Sequence, residues 1–430
     1  MLWPVLQAQA SEPDARYPGA GPAAVGLGDT LVRATRSPFF AERLRVAGVD
    51  LAEPTWDRWR AIRPTSKEEL RALADFDGEV VIAPRAEVVE FWRSGGVTGR
   101  PLYYPRTAAD LAHAKSSFRL GLEIAGVTAS DTLMVSFPFG IHPVGQMVAR
   151  AAEAIGAAVV WAGAGSQLPS AAQVELIGEL GVTVWCGMPS FGLHLANAAE
   201  AAGAPLADRD VRLLVTSAEV VSAPKRSLLQ RLWGAEVRDI FGMTECTLMG
   251  AECGRAEGLH VWTESSFCEV LDPDTLEPVP VGETGTLCVT PKRTTHATPF
   301  VRWLSGDLVR LEAGCDCAYS RYPRIVHSGR TAGFLKLRGV NIGHREAEEA
   351  LYSIETLRDF RVLVTPDDRL IVELEAVSGG EDATAERVRR LFADTFGVRA
   401  DTRVVGRGTV VEATAGQVKA QRFVDERASV

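Results

Sequence analysis

The sequence predicts an α/β protein: a large amino-terminal domain with mainly parallel sheets and a β-rich lobe, followed by a small α+β carboxy-terminal domain. Three stretches of patterning predict it. From about Glu79 to Thr216, short β-branched runs alternate with Ala-rich amphipathic stretches, the pattern of a mainly parallel sheet covered by helices. After Met249 the runs are strand-like only, and beyond Gly329-Arg330 helical and strand patterns mix over the last 100 or so residues, about the size of an independent domain. The expected boundaries are 1–330 for the large domain and 331–430 for the small one.

In chain order, the segment up to about Asp77 mixes Pro and Gly with short helical patterns and reads as an irregular lead-in. Its clearest element is Thr65–Leu73, where Ser66 can cap a helix whose first turn carries Glu68 and Glu69. Helices are then expected over Ala108–Gly126, Val144–Ile155, Ala171–Leu180 and Ser190–Ala202. They alternate with strands over Thr132–Ser136, Ala158–Trp161, Val182–Cys186 and Val211–Thr216. Ligands in such folds sit beyond the carboxyl ends of the strands. The lobe should contain strands over Val261–Val270, Gly285–Thr290 and Leu304–Leu311, with turns at Asp272-Pro273 and Val281-Gly282. The tail reads as a helix over Arg345–Ile354, strands over Phe360–Val364 and Leu370–Ala376, and a helix over Ala383–Phe396.

A formal net charge of −9 argues against a nucleic-acid surface, because phosphate binding relies on clustered Lys and Arg. The first ten residues lack the basic start and apolar run of a secretory signal. No stretch approaches the roughly 18 continuous apolar residues of a membrane span. A cytoplasmic protein without membrane or nucleic-acid partners is expected. Seven cysteines form an odd set, which fits reduced thiols better than a disulfide framework.

Two segments carry chemistry that neither has alone. Ser94-Gly95-Gly96-Val97-Thr98-Gly99-Arg100-Pro101 combines three glycines with two hydroxyls, so the backbone can turn tightly around an anion such as a triphosphate. It is not a Walker loop. Asp239-Ile240-Phe241-Gly242-Met243-Thr244-Glu245 places a hydroxyl beside a carboxylate in an apolar-flanked turn. A third pattern, Cys253, His260, Cys315 and Cys317, offers four thiol and imidazole donors, enough to close a tetrahedral structural zinc site. Free buried thiols and a turn histidine are the alternative, with His327 as a reserve ligand.

The glycine-rich segment resembles the Ser-Ser-Gly-Thr-Thr-Gly-Lys-Pro phosphate loop of adenylate-forming enzymes, departing from it at Gly95, Val97 and Arg100. Further elements resemble the phenylacetate–CoA ligase-like (aryl-CoA ligase) branch, in the same order and over nearly the whole chain. Thr216-Ser217-Ala218-Glu219 is similar to the Gly-Ala-Glu of the adenine pocket, and Phe241-Gly242-Met243-Thr244-Glu245 to Tyr-Gly-Met-Thr-Glu. Asp307 in Leu304-Ser305-Gly306-Asp307-Leu308 resembles the ribose-binding aspartate. Arg330 with Lys336-Leu337-Arg338-Gly339-Val340-Asn341 resembles the interdomain segment, and Lys419-Ala420-Gln421-Arg422 the motif bearing the adenylation lysine. The resemblance implies a mobile small domain that rotates between half-reactions, and two departures stand out: the hinge aspartate is replaced by Ala332, and the glycine before the lysine is Val418.

The resemblance implies ATP-dependent activation of an aryl carboxylic acid as an acyl-adenylate, followed by thioester formation with coenzyme A or a phosphopantetheine thiol. It implies catalytic roles for Lys419, Thr244 and Glu245, with Glu245 holding Mg²⁺. Ser94, Gly95, Gly96, Thr98, Gly99, Ser217, Ala218, Glu219, Asp239, Phe241, Gly242, Met243, Thr244, Asp307, Arg330 and Lys336 would contact the nucleotide. The aromatic, kinked stretch with Phe137, Phe139, Gly140 and His142, together with Phe191 and Met243, is the candidate acyl pocket, an apolar slot with one polar group at its mouth. Similar Cys…His and Cys-x-Cys sets in related ligases imply structural zinc. Transfer to an amine or an acyl carrier protein, a degenerate nucleotide-binding module, and a homodimer are the alternatives left open.

Overall fold

A computed structural model of the chain describes residues 26–93, 101–165, 167–312, 314–331, 333–413 and 421–429. The described part of the supposed irregular lead-in is helical from Leu27 on, and it includes the helix expected after Ser66. It contains α1 (Leu27–Ala34), α2 (Pro38–Val46), α3 (Trp56–Ala61), α4 (Lys67–Ala72) and α5 (Phe76–Val80). Ser37, Thr55, Ser66 and Asp75 each accept a hydrogen bond from an amide three residues on, and Ser66 with Glu69 forms a reciprocal capping box. Helices this short barely register a 3.6-residue period, and they persist through packing. Leu31, Phe40, Trp59 and Leu70 share one buried core with Phe267, Leu287, Trp303 and Ile325. Arg302 donates to the Arg60 and Ile62 carbonyls, both at 2.7 Å, and ties this segment to the lobe.

A hairpin of β1 (Val88–Arg93) and β2 (Tyr103–Thr107) follows, then α6 (Ala108–Ala125), capped by Thr107 and Asp110. The alternating run is β3 (Thr132–Val135), α7 (Val144–Ile155), β4 (Ala158–Trp161), α8 (Ser170–Glu179), β5 (Val184–Gly187), α9 (Pro189–Ala201), β6 (Leu213–Thr216) and α10 (Ala223–Trp233). The lobe comprises β7 (Glu236–Met243), β8 (Thr247–Glu252), β9 (Leu259–Val261), β10 (Ser266–Leu271), β11 (Thr284–Pro291), β12 (Trp303–Glu312) and β13 (Arg324–Arg330). The remainder is β14 (Phe334–Leu337), β15 (Val340–Gly343), α11 (His344–Tyr352), β16 (Leu357–Val364), β17 (Leu370–Ala376), α12 (Glu381–Phe396), β18 (Ala400–Val404), α13 (Thr409–Ala413) and β19 (Phe423–Asp425).

The chain forms two compact units. One comprises residues up to Thr128, Phe139–Gly156 and Asp239–Thr331; the other comprises Ala129–Pro138, Ala157–Arg238 and Ala332–Val430. Within the first, strands run in the order β10-β11-β12-β13-β9-β8-β7. The single strand expected over Val261–Val270 is two. β9 pairs with β8 and β13, a turn closes with the Ser265 amide donating to the Trp262 carbonyl at 3.2 Å, and β10 pairs with β11 instead.

Within the second unit, β6-β5-β3-β4 form a fully parallel ladder, the arrangement the alternating pattern demands. Four further strands run in the order β18-β17-β16-β19. A buried Arg422–Asp359 pair, 2.8 Å apart, pins the residue before β19 against β16. No helix among the described residues is long and apolar enough to cross a membrane.

Candidate active site

Thr244 and Glu245 are the central residues of the turn joining β7 to β8, closed by the Cys246 amide donating to the Met243 carbonyl at 3.2 Å. Glycine is required just before it. A Cβ on Gly242 would meet the Thr247 carbonyl oxygen at 2.5 Å and the Leu248 Cα at 2.7 Å. The Glu245 side chain is buried. Its Oε1 accepts a hydrogen bond from the Tyr104 hydroxyl at 2.8 Å, and the Lys67 ammonium lies 3.7 Å away. Burial pushes the Lys67 ammonium below its ordinary range, while Glu245 pulls in the other direction. Arg106 donates to the carbonyls of both Thr244 and Glu245.

Lys67, Tyr104 and Arg106 are absent from the sequence-predicted site. Tyr104 lies 141 positions from Glu245 and Arg106 lies 138 from Thr244, so no local spacing links them. The one signal available is a run, Tyr103-Tyr104-Pro105-Arg106, that places a charge in an otherwise apolar strand.

On the neighbouring strands, Asp307 and Arg330 are register partners, with 3.4 Å between the Arg330 Nε and the Asp307 Oδ1. The same oxygen lies 3.3 Å from the His327 Nε2, and the Phe241 and His327 rings are 5.8 Å apart. Gly306, at φ +76°, turns the strand so that the Asp307 amide can donate to the Ser305 hydroxyl at 3.0 Å. The first unit therefore gathers Phe241, Asp307, His327 and Arg330 close to the Thr244–Glu245 turn. The Asp239 amide points elsewhere and donates to the Glu252 carboxylate at 2.8 Å.

His142 also belongs to the first unit. Its Nδ1 donates to the Arg93 carbonyl at 3.0 Å, which leaves Nε2 as the acceptor. Burial, outweighing that hydrogen bond, holds the ring below its ordinary range and favours the neutral form. Phe139 is half-buried, and Gly140 sits at φ +130°, where only glycine is comfortable.

The second unit holds a different group. Ser217 and Ala218 follow the carboxyl end of β6, with Ala218 at φ 74°. Glu219 accepts from the Ser190 hydroxyl at 2.6 Å and the Ser190 amide at 3.1 Å, at the first turn of α9, with the Lys225 Nζ 3.8 Å away. Burial opposes its charge, but Lys225, Arg422 and Ser190 outweigh that and hold the carboxyl below the ordinary glutamate range. Phe191 is on the same helix, and a Cβ on Gly165 would come within 3.3 Å of its ring. Phe137 is fully buried, and Lys336 is exposed on β14. Ser94, Gly95, Gly96, Thr98, Gly99, Ala332 and Lys419 lie outside the described residues.

The four Cys and His donors converge, all within 4.8 Å of one another. Cys253 follows β8, His260 is in β9, and Cys315 and Cys317 lie between β12 and β13. The Cys253 and Cys315 sulfurs are 3.9 Å apart, and the Cys317 sulfur lies 3.3 Å from the His260 Nε2. A tetrahedral zinc with Zn–S of about 2.3 Å needs sulfurs roughly 3.8 Å apart, so the set fits the ion. The His260 Nδ1 donates to the Tyr322 carbonyl at 3.3 Å, which fixes the tautomer and turns the Nε2 lone pair toward the sulfurs. His327 stays with Asp307 and takes no part.

The profile of the AMP-binding enzyme family matches residues 59–295, more than half of the chain. The phenylacetate–coenzyme A ligase of Thermus thermophilus is 30% identical over 344 residues, covering 78% of this chain and 75% of that protein. The Escherichia coli K12 enzyme of the same name is 28% identical over 361 residues, covering 80% and 81%. Among solved structures, a 2-hydroxyisobutyryl-CoA ligase in the postadenylation state, in complex with 2-HIB-AMP, shares the fold. Its TM-score is 0.84 at 22% identity, over 97% of this chain and 94% of that one. Sequence likeness spread over three quarters of these relatives, on the same fold, means that the chain belongs to the AMP-binding enzymes, in their phenylacetate–CoA ligase-like branch.

Proposed function

We propose that this AMP-forming acid–thiol ligase activates an aryl carboxylic acid with ATP and passes the acyl group to coenzyme A. The observation that carries the reading is the braced turn at Thr244–Glu245, beside Phe241 and the Asp307–Arg330 pair. A carboxylate is a poor electrophile because oxide would have to leave. Attack of its oxygen on the α-phosphorus forms the acyl–phosphate bond and expels pyrophosphate. The thiol then attacks the acyl carbon, loses its proton, and releases AMP.

The protein contributes position and charge. The Thr244 hydroxyl would meet the α-phosphate, Phe241 the purine, and Asp307 the ribose hydroxyls, with Arg330 orienting Asp307. Glu245 would hold Mg²⁺, whose preference for hard oxygens suits a carboxylate and whose charge offsets that of the phosphates. Lys419 would supply the ammonium for adenylation. His142, held toward its neutral form with Nδ1 on the Arg93 carbonyl, would present Nε2 to the acid beside Phe139, an arrangement that suits a flat aryl acid. Cys253, His260, Cys315 and Cys317 would hold a structural zinc. With all four positions filled by these side chains, such a site would brace the lobe and leave no open position for substrate.

Acid-dependent exchange of labelled pyrophosphate into ATP tests the reading. A ligase exchanges label with an aryl acid present, and a degenerate nucleotide-binding module does not. Product masses after adding coenzyme A, an acyl carrier protein or an amine identify the acceptor. Lys419→Ala is expected to lower exchange by about 100-fold or more, with the thermal transition nearly unchanged. Wild-type exchange in that variant would remove Lys419 from the mechanism.

A further inference from the structure

Behind the Thr244–Glu245 turn lies a buried cation with no role in the chemistry described so far. Arg106, on β2, is fully buried. Its guanidinium donates to the Thr244 carbonyl, to the Glu245 carbonyl at 3.2 Å and to the Thr298 hydroxyl at 3.5 Å, and its Cζ lies 4.7 Å from the centre of the Trp92 ring. All of these partners are neutral. The buried Nε has no hydrogen-bond partner among the described residues. Burial lowers the tendency of the group to hold its proton, and the Asp110 and Glu245 carboxylates oppose this through space without pairing with it.

Withdrawing a guanidinium from water is costly unless a charge or a full set of hydrogen bonds compensates it. Here the described residues pair it with neutral acceptors and leave its Nε unpartnered, and the cation sits beneath a turn that offers a hydroxyl and a carboxylate. A fixed positive charge at that place lowers the energy of an anion arriving above the turn, and the two carbonyl contacts hold Thr244 and Glu245 in register for it.

We propose that Arg106 is a positioning residue for adenylation: it clamps the Thr244–Glu245 turn by its carbonyls and biases the site toward the polyphosphate of ATP. The inference rests on the ATP-dependent reading above. It predicts a dependence on ligand charge that a scaffold residue would not produce.

The test compares wild type, Arg106→Met and Arg106→Lys for binding of ATP with Mg²⁺ and of uncharged adenosine, by calorimetry or ligand-observed NMR. Arg106→Met is expected to weaken ATP by about tenfold or more and to leave adenosine unchanged, since the clamp on the two carbonyls and the positive charge beneath the turn are lost together. Arg106→Lys, which keeps the charge but not the fork, should fall between the two. ATP affinity equal to wild type in Arg106→Met overturns the proposal, as does an equal loss of ATP and adenosine. If Arg106→Met fails to fold, Arg106→Lys carries the test, with selective loss of ATP supporting the proposal and unselective or absent loss overturning it. A wild-type protein that binds ATP yet exchanges no pyrophosphate with any aryl acid would defeat the functional reading alone and leave the binding comparison valid.

Discussion

Glu245→Gln is expected to lower acid-dependent ATP–pyrophosphate exchange by about 100-fold, equivalent to about 2.7 kcal/mol of transition-state stabilisation. The substitution is close to isosteric, and its amide oxygen can still accept from the Tyr104 hydroxyl, so the 2.8 Å contact survives. What disappears is the negative charge. Without it the site loses its hard ligand for Mg²⁺, and the Lys67 ammonium, 3.7 Å away and already below its ordinary range through burial, loses the carboxylate that favours its charged form. Lys67 keeps some contact with solvent, so the stability cost should stay near 1 kcal/mol, well below the catalytic loss. Exchange measured across a Mg²⁺ titration checks the expectation. A variant with wild-type exchange and an unshifted Mg²⁺ requirement would show that Glu245 is a purely structural acid.

Cys315→Ser should produce the largest loss of stability. The four donors lie within 4.8 Å of one another, close enough to share one ion, and as thiolates they would repel one another without it. The wild-type protein, purified without chelators, is expected to carry about one zinc per chain. Removing one sulfur should cut the zinc content sharply and destabilise the protein by roughly 4 kcal/mol, since metal loss belongs to the short list of large single-site effects. Elemental analysis and thermal unfolding measured on the same samples check both halves. Cys186→Ser is the control. That thiol is fully buried in β5 and is not one of the four, so it should change stability and leave zinc content alone. Wild-type protein without zinc would refute the metal reading, whatever the variants do.

The elements that could be read from the chain are those whose stabilising pattern is local. α7 and the strands β4 and β17 end at the expected residues, because β-branched runs and helical spacing between Gly and Pro breakers carry their own signal. Of the helices between Leu27 and Val80, only Lys67–Ala72 could be read this way, from Ser66 and the glutamates of its first turn. All are five to nine residues long, and what holds them is the core shared with Phe267, Trp303 and Ile325, which lie far along the chain. The same division runs through the site. Thr244 and Glu245 announce themselves as a hydroxyl–carboxylate pair in a turn. Their supports, Lys67, Tyr104 and Arg106, come from other elements and reach the turn only when the chain folds.

By itself the amino-acid sequence determined the parallel βαβ run, the family and the inventory of chemically capable groups, because periodicity, glycine turns and short motifs are properties of neighbouring residues. Only the tertiary structure decided which of those groups share a site. It set the 3.9 Å between two sulfurs 62 positions apart, the Asp307–Arg330 pairing across adjacent strands, and the burial of Arg106 beneath Thr244. Such distances follow from strand register and core packing, which sum over the whole chain and leave no trace in any one segment of it.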